Sequence, residues 1–261
     1  MFIRIYGVLL LLLCSSHSNA ALLPKVEELQ RLLAESPVEI EVVEPHLIDG
    51  RNQPHVVYLG YPVEKVFRVI FGVEWKTAAT KMEFRALDGY VSRIPTERFD
   101  QYQAYLVFAK TNAREFKMNN LMQHERDVPL GPYYLVWDNI HHSELIAEGG
   151  TYWPYQVNEI LTSQSPEQGL DPVGKSHYPP ELEKYCLSCH QVNGFGGRKT
   201  SFDLAEQTKT IGEEKFLAWV LNPASMRPDT KMPAINEGMP ETERRAIAKR
   251  LFEYLNKLAH K

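Results

Sequence analysis

Cys186-Leu-Ser-Cys189-His190 is the stretch on which the reading of this chain turns. A C-x-x-C-H run in an exported chain points to covalent attachment of haem c. The spacing follows from the chemistry. Two thiols that add to the two vinyl groups of one porphyrin must lie close together on one turn, and the adjacent imidazole then reaches the iron. A histidine with a second axial ligand such as methionine is one way to hold haem iron for electron transfer. A bare C-x-x-C also occurs in thiol redox pairs and as half of a zinc site. There is no second C-x-x-C, and the other cysteine, Cys14, stands in the N-terminal apolar segment. The motif follows Pro179-Pro180-Glu-Leu-Glu-Lys-Tyr185, which predicts a helix opened by proline rather than the strand that precedes a thioredoxin-like pair.

The chain has 261 residues, enough for one or two domains. It is 44% hydrophobic and 24% charged, the balance of a globular protein with a real core. Residues 1–20 combine an early Arg4, the apolar run Gly7 to Cys14 and an ending in small residues, which predicts a secretory signal cleaved near Ala20. The apolar run is too short to span a bilayer as a permanent helix. Leu13 before Cys14 is a poor residue for lipoprotein cleavage, so a lipid anchor is not expected. The expected location is the periplasm.

Downstream, Ala21 to Leu33 predicts a helix with Leu23, Val26, Leu29, Leu32 and Leu33 on one side. Val38–Val43 and His55–Leu59 predict strands. Pro62 to Gly72 carries proline at its start, helical spacing and glycine at its end, so it predicts a helix. Lys81–Ala86 alternates, and Asp88-Gly89 turns it into Tyr90–Ile94. Tyr105–Phe108 and Tyr133–Trp137 are further strand candidates. The expectation is an α+β domain over residues 21–162. His141 and His142 would face opposite sides of a strand, so they are not expected to hold one ion together. His46, His55 and His124 are scattered and read as packing or solvated side chains.

Within this segment, Gly60-Tyr-Pro62-Val63, Phe84 to Tyr90, and Pro129-Leu-Gly-Pro132-Tyr133 resemble the molybdopterin-binding domain of sulfite-oxidase-type enzymes. That family holds molybdenum through a cysteine thiolate, and residues 21–171 contain no cysteine. The resemblance therefore implies a docking or scaffolding role rather than molybdenum catalysis. Residues 163–179 are rich in proline, glycine and polar side chains and read as a linker.

The last segment, 180–261, is ordered as helix with C-x-x-C-H, glycine loop Gly194 to Gly197, helix ended by Asn222-Pro223, the loop Lys231-Met232-Pro233, and a final helix from Pro240 to about Leu258. The final helix presents Ile247, Leu251, Tyr254, Leu255 and Leu258 on one face, expected to cross the helix carrying Tyr185. This order resembles the class I c-type cytochromes. The resemblance implies a C-terminal all-α cytochrome c domain with one covalently attached haem c. Cys186 and Cys189 would tether it, and His190 and Met232 would be the axial iron ligands. Met226 and Met239 are the competing thioethers. The proline loop that orients the ligand histidine in that family is missing, and a backbone carbonyl is expected to take its place.

Residues 172–261 hold 14 Lys and Arg against 11 Asp and Glu, while residues 21–171 hold 14 against 22. No basic stripe with interleaved aromatics points to nucleic acid. Lys199, Arg227 and Lys231 are expected to form a basic rim whose acidic target is either a redox protein partner, such as a periplasmic dehydrogenase or terminal oxidase, or the chain's own front domain. The leading expectation is an exported one-haem electron carrier with an N-terminal docking domain. Two rivals stand beside it. One is an oxidoreductase whose active site lies in the N-terminal half, with haem as electron acceptor. The other is a haem-based sensor in which Met232 gives way to a gaseous ligand.

Overall fold

The structure is a computed structural model that describes residues 20–163, 178–236 and 238–258. The proposed signal segment up to residue 19, Cys14 within it, and residues 164–177 of the expected linker lie outside the described residues.

Two four-stranded antiparallel sheets form the framework. In the first, β1 (Ala20–Leu22), β10 (Val157–Ser163), β4 (Lys81–Ala86) and β5 (Val91–Pro95) lie side by side in that order. In the second the order is β2 (Val38–Val43), β3 (His55–Pro62), β6 (Ala104–Lys110) and β9 (Tyr134–Trp137). A short antiparallel pair, β7 (Lys117–Asn120) with β8 (Glu125–Pro129), lies beyond them. Alternation decides which faces turn inward: Met82, Phe84 and Ala86 of β4 are buried, while Lys81, Glu83 and Arg85 face the other way. Between the sheets lies an aromatic core. There Phe67 packs edge-on to Trp75 at 4.7 Å and Phe99 against Trp137 at 5.1 Å.

Several local expectations hold. β2 spans the predicted residues, and α2 (Val63–Phe71) runs from Pro62 to Gly72. The β4–β5 turn places Gly89 at φ 86°, where a side chain would be strained. The first helix is shorter than expected. Pro24 separates α1 (Val26–Leu33) from Ala20–Leu22, which pairs with Glu159–Leu161 as an edge strand instead. Of the remaining short helices, α3 (Trp75–Ala78), α4 (Arg98–Gln101) and α5 (Glu144–Ala147) connect the strands.

After the break, α6 (Pro180–Tyr185) leads into a two-stranded hairpin, β11 (Gln191–Val192) with β12 (Phe195–Gly196). Then come α7 (Leu204–Leu221), α8 (Pro223–Met226) and α9 (Glu241–Leu258). Asp203 caps α7 by accepting from the Ala205 N–H at 2.9 Å. Gly212, at φ 75° and ψ 171°, breaks α7 within its length. The α9 face is as expected, with Ile247, Ala248, Leu251, Leu255 and Leu258 buried. It packs chiefly along α7 and less against α6.

A distinct C-terminal all-α domain is therefore not what the chain builds. The run Gly194–Gly197, expected as a flexible loop, is half of a β-hairpin, and that hairpin is fastened to the first sheet. Val91 N–H donates to the Ser188 carbonyl at 2.9 Å, and Arg198 N–H donates to the Gly89 carbonyl at 2.7 Å. Ion pairs Lys81–Glu183 and Lys199–Asp88 cross the same seam at 2.5 and 2.7 Å. The molecule is a β-rich α+β fold with two apolar clusters, the larger between the sheets and the smaller around α6, α7 and α9.

Candidate functional site

The C-x-x-C-H turn grows directly out of α6. Pro180 opens that helix, where a missing N–H costs nothing, and Leu182 anchors it in the smaller cluster with no exposed surface. Cys186 closes it by donating its N–H to the Leu182 carbonyl at 3.0 Å. The chain then folds back on itself. The N–H groups of Cys189 and His190 both donate to the Cys186 carbonyl, at 3.1 and 2.9 Å. The next three carbonyls are also taken: Leu187 by Gly197 N–H (2.8 Å), Ser188 by Val91 N–H (2.9 Å) and Cys189 by Lys199 N–H (3.1 Å). Every backbone acceptor from Cys186 to Cys189 is thus satisfied, which fixes the turn without help from its side chains.

The glycines explain how the hairpin comes so close. A Cβ at Gly197 would collide with the Ser188 carbonyl, and one at Gly196 with the His190 carbonyl. Gly197→Ala should therefore destabilise the chain by about 2–3 kcal/mol, the cost of overpacking a site whose neighbour is backbone. Urea unfolding reads this out; a variant as stable as the parent would mean that the hairpin does not press on the turn.

Both thiols are unpaired, Cys186 buried and Cys189 half-buried. Burial, with the neighbouring Cys189 adding to it, pushes the Cys186 thiol up to about 12. Burial pushes Cys189 up to about 11, with Lys199 pulling it partly back. Such thiols are protonated at neutral pH, unlike the lowered, thiolate-rich cysteine of a disulfide oxidoreductase. Burial also pulls the His190 imidazole down to about 4, so the ring is neutral. His190 Nδ1 lies 3.0 Å from Thr200 Oγ1. Donation from Nδ1 to that hydroxyl leaves Nε2 as the lone-pair nitrogen and fixes the ring's orientation. The expected backbone acceptor is thus a threonine hydroxyl, brought close by the Lys199–Cys189 backbone bond. Two unpaired thiols on one rigid turn, followed by a neutral oriented imidazole, fit the requirements of a covalently held haem.

Met232 packs against the smaller cluster, to which Cys186 also belongs. Its N–H donates to Thr230 Oγ1 at 3.2 Å. Met226 is 39% exposed, which sets it apart from Met232; Met239 packs against the same cluster. The expected basic rim is not a free one. Lys199 pairs with Asp88, Lys231 with Glu125 at 2.5 Å and Arg227 with Asp229 at 2.8 Å. Two of the three cations are neutralised by acidic residues of the front half.

His141 and His142 take separate carboxylates, Asp138 at 2.7 Å and Glu144 at 3.5 Å. Among the described residues, no group of three or more His, Cys, Asp or Glu side chains could hold a metal ion. A cavity of about 790 Å³ lies on the outer face of β4 and β5 beside the hairpin, walled by charged side chains such as Glu83, Arg93 and Glu183. Its charges are largely internal pairs, Arg93–Glu83 at 2.7 Å among them.

One group was not foreseen. His46, taken from the sequence as an unremarkable packing or surface residue, belongs to a buried polar cluster with Glu44, Tyr58 and Tyr134. Tyr58 and Tyr134 are strand residues distant in sequence, so no local pattern announces the cluster.

No family model matches the chain, and no curated protein matches it. Together with the mixed β-rich topology, this leaves neither resemblance standing. The chain is assigned neither to the class I c-type cytochromes nor to the molybdopterin-binding domain of sulfite-oxidase-type enzymes.

Proposed function

We propose that the chain is an exported electron carrier with one covalent haem c. The observation that carries this reading is the Cys186–His190 turn, in which two unpaired thiols precede a neutral imidazole held through Nδ1. Cys186 and Cys189 would carry the thioether links, and His190 and Met232 would ligate the iron. When bound, haem supplies a one-electron couple between ferric and ferrous iron. The protein's own part is to hold and to tune. Thr200 keeps the His190 ring in place, and the hairpin and the first sheet hold the turn. A thioether on Met232 favours the ferrous state. Export rests on the signal-like residues 1–20; no helix among the described residues is long and apolar enough to cross a membrane. The partner is a second redox protein. Since Lys199 and Lys231 are already paired within the chain, contact relies less on long-range charge than a free basic rim would require.

The deciding experiment is mass spectrometry of the mature chain after denaturation. One haem per chain should remain attached, whereas haem that extracts freely into acidified solvent would refute the proposal.

Two substitutions should move the midpoint potential in opposite directions. Met232→Ala removes the ligand that favours ferrous iron and should lower it. Thr200→Val removes the acceptor that makes the His190 nitrogen more basic and should raise it. Potentiometric titration of both variants measures this. A Met239→Ala variant that shows the drop expected of Met232→Ala, with Met232→Ala itself silent, would transfer the ligand role to Met239.

A further inference from the structure

Glu44 is entirely buried, and its carboxylate accepts from His46 Nδ1 at 2.7 Å, Tyr58 OH at 2.6 Å and Tyr134 OH at 2.9 Å. Holding the proton on Nδ1 makes Nε2 of His46 the acceptor nitrogen. Nε2 makes no hydrogen bond to the described residues, and beside it, against Gly150, lies a partly open pocket of about 40 Å³. Gln123, Tyr90, Tyr155 and Lys199 complete the polar lining, with Gly150 against the imidazole.

The polar atoms there are unevenly satisfied. Gln123 Oε1 is buried without a partner. Tyr90 OH already donates to the Thr151 carbonyl at 3.1 Å, and Lys199 already pairs with Asp88. Tyr155 OH accepts from Asn120 Nδ2 at 3.3 Å, which leaves its own proton to give. The cavity therefore presents two unmet acceptors, His46 Nε2 and Gln123 Oε1, and one donor. A water position needs about 10–15 Å³ of such space, so the volume suits two or three non-hydrogen atoms.

We propose that this cavity is a binding site for a small uncharged hydrogen-bond donor of up to three non-hydrogen atoms, with His46 Nε2 as its acceptor. An anion of the same size would set its charge against these two acceptors, while the charge of Lys199 is already balanced by Asp88. Gly150 keeps the space open, because a Cβ there would stand 2.7 Å from His46 Nε2. The inference is independent of the haem and draws on residues of both halves of the chain, since Lys199 reaches in from beyond the hairpin.

Formamide is a suitable probe, with two N–H bonds and a carbonyl on three heavy atoms. The intact protein, labelled with nitrogen-15 at histidine, is titrated with formamide at neutral pH. The expected result is a saturable shift of the His46 Nε2 resonance. Formate, of the same size but without an N–H, and N,N-dimethylformamide, which is larger and also lacks one, should leave it unmoved. Gly150→Ala should weaken formamide binding by about tenfold or more. If that variant does not fold, the three-probe series on the parent protein still decides. A non-saturating shift, an equal response to formate, or undiminished binding in a folded Gly150→Ala variant would overturn the proposal. So would a site that retains only ordered water under saturating formamide.

Discussion

The double variant Cys186→Ala, Cys189→Ala should lose all of its haem to acidified solvent, while the parent chain retains one haem through the same treatment. Each single variant should keep one thioether link and hold its haem with an altered spectrum. The size of the effect follows from bond type: two covalent links are replaced by axial ligation, which acid disrupts by protonating the imidazole. The turn itself should survive, because its fold rests on backbone bonds from Cys186 to Cys189 and on the buried Leu187 rather than on sulfur. Far-ultraviolet circular dichroism of the haem-free double variant checks this. Haem retained by the double variant at the parent's level would rule out thioether attachment here.

Glu44→Gln should lower stability by about 3–4 kcal/mol at neutral pH, in the range found when one partner of a buried charged network is removed. For a chain of this size that corresponds to a fall of about 10 °C in Tm. The carboxylate accepts from two tyrosine hydroxyls and one imidazole, and an amide offers an N–H to groups that themselves donate. The pH dependence has a definite sign. Burial alone would raise the Glu44 carboxyl, but hydrogen bonds from His46 and Tyr58 outweigh it and hold the group below its ordinary 4.5. A carboxyl lowered in the folded state stabilises it above the unfolded value and ceases to do so as pH falls through the folded one. The gap between parent and Glu44→Gln should therefore narrow in acid. Denaturant melts at pH 7 and at pH 3 measure it. An equal gap at both would mean that the Glu44 carboxyl is not lowered in the folded chain.

What the sequence revealed, and what it hid, divides by the range of the interactions. β2, α2, the β4–β5 hairpin and the buried face of α9 were legible because alternation, helical spacing, proline and glycine act within a few residues. Ala21 and Leu22 read as helix from the sequence, because the strand state of Ala20–Leu22 depends on Glu159–Leu161, far along the chain. Gly194–Gly197 carries the composition of a loop; what makes it a hairpin is close approach to the Ser188 and His190 carbonyls. The same distant contacts, Val91 to Ser188 and Gly89 to Arg198, merged what composition had divided into two domains. At the site, the Cys186–His190 turn was explicit in the motif. Thr200 was not, because a hydroxyl acceptor has no spacing rule of its own. The Glu44–His46 cluster was hidden for the reason already evident in its partners: Tyr58 and Tyr134 sit 14 and 90 residues from Glu44.

The seam between the turn and the first sheet also sets an order of assembly. Cys186 is only 7% exposed once Val91 and Arg198 have closed their backbone bonds, so its sulfur is then out of reach of any attaching machinery. In an exported chain the front half is the first to emerge across the membrane and can fold ahead of the cysteines. Haem ligation would therefore have to precede docking of the hairpin. On the proposed haem reading, maturation would be a race, and a turn that closed too early would leave a stable, well-packed protein without its haem.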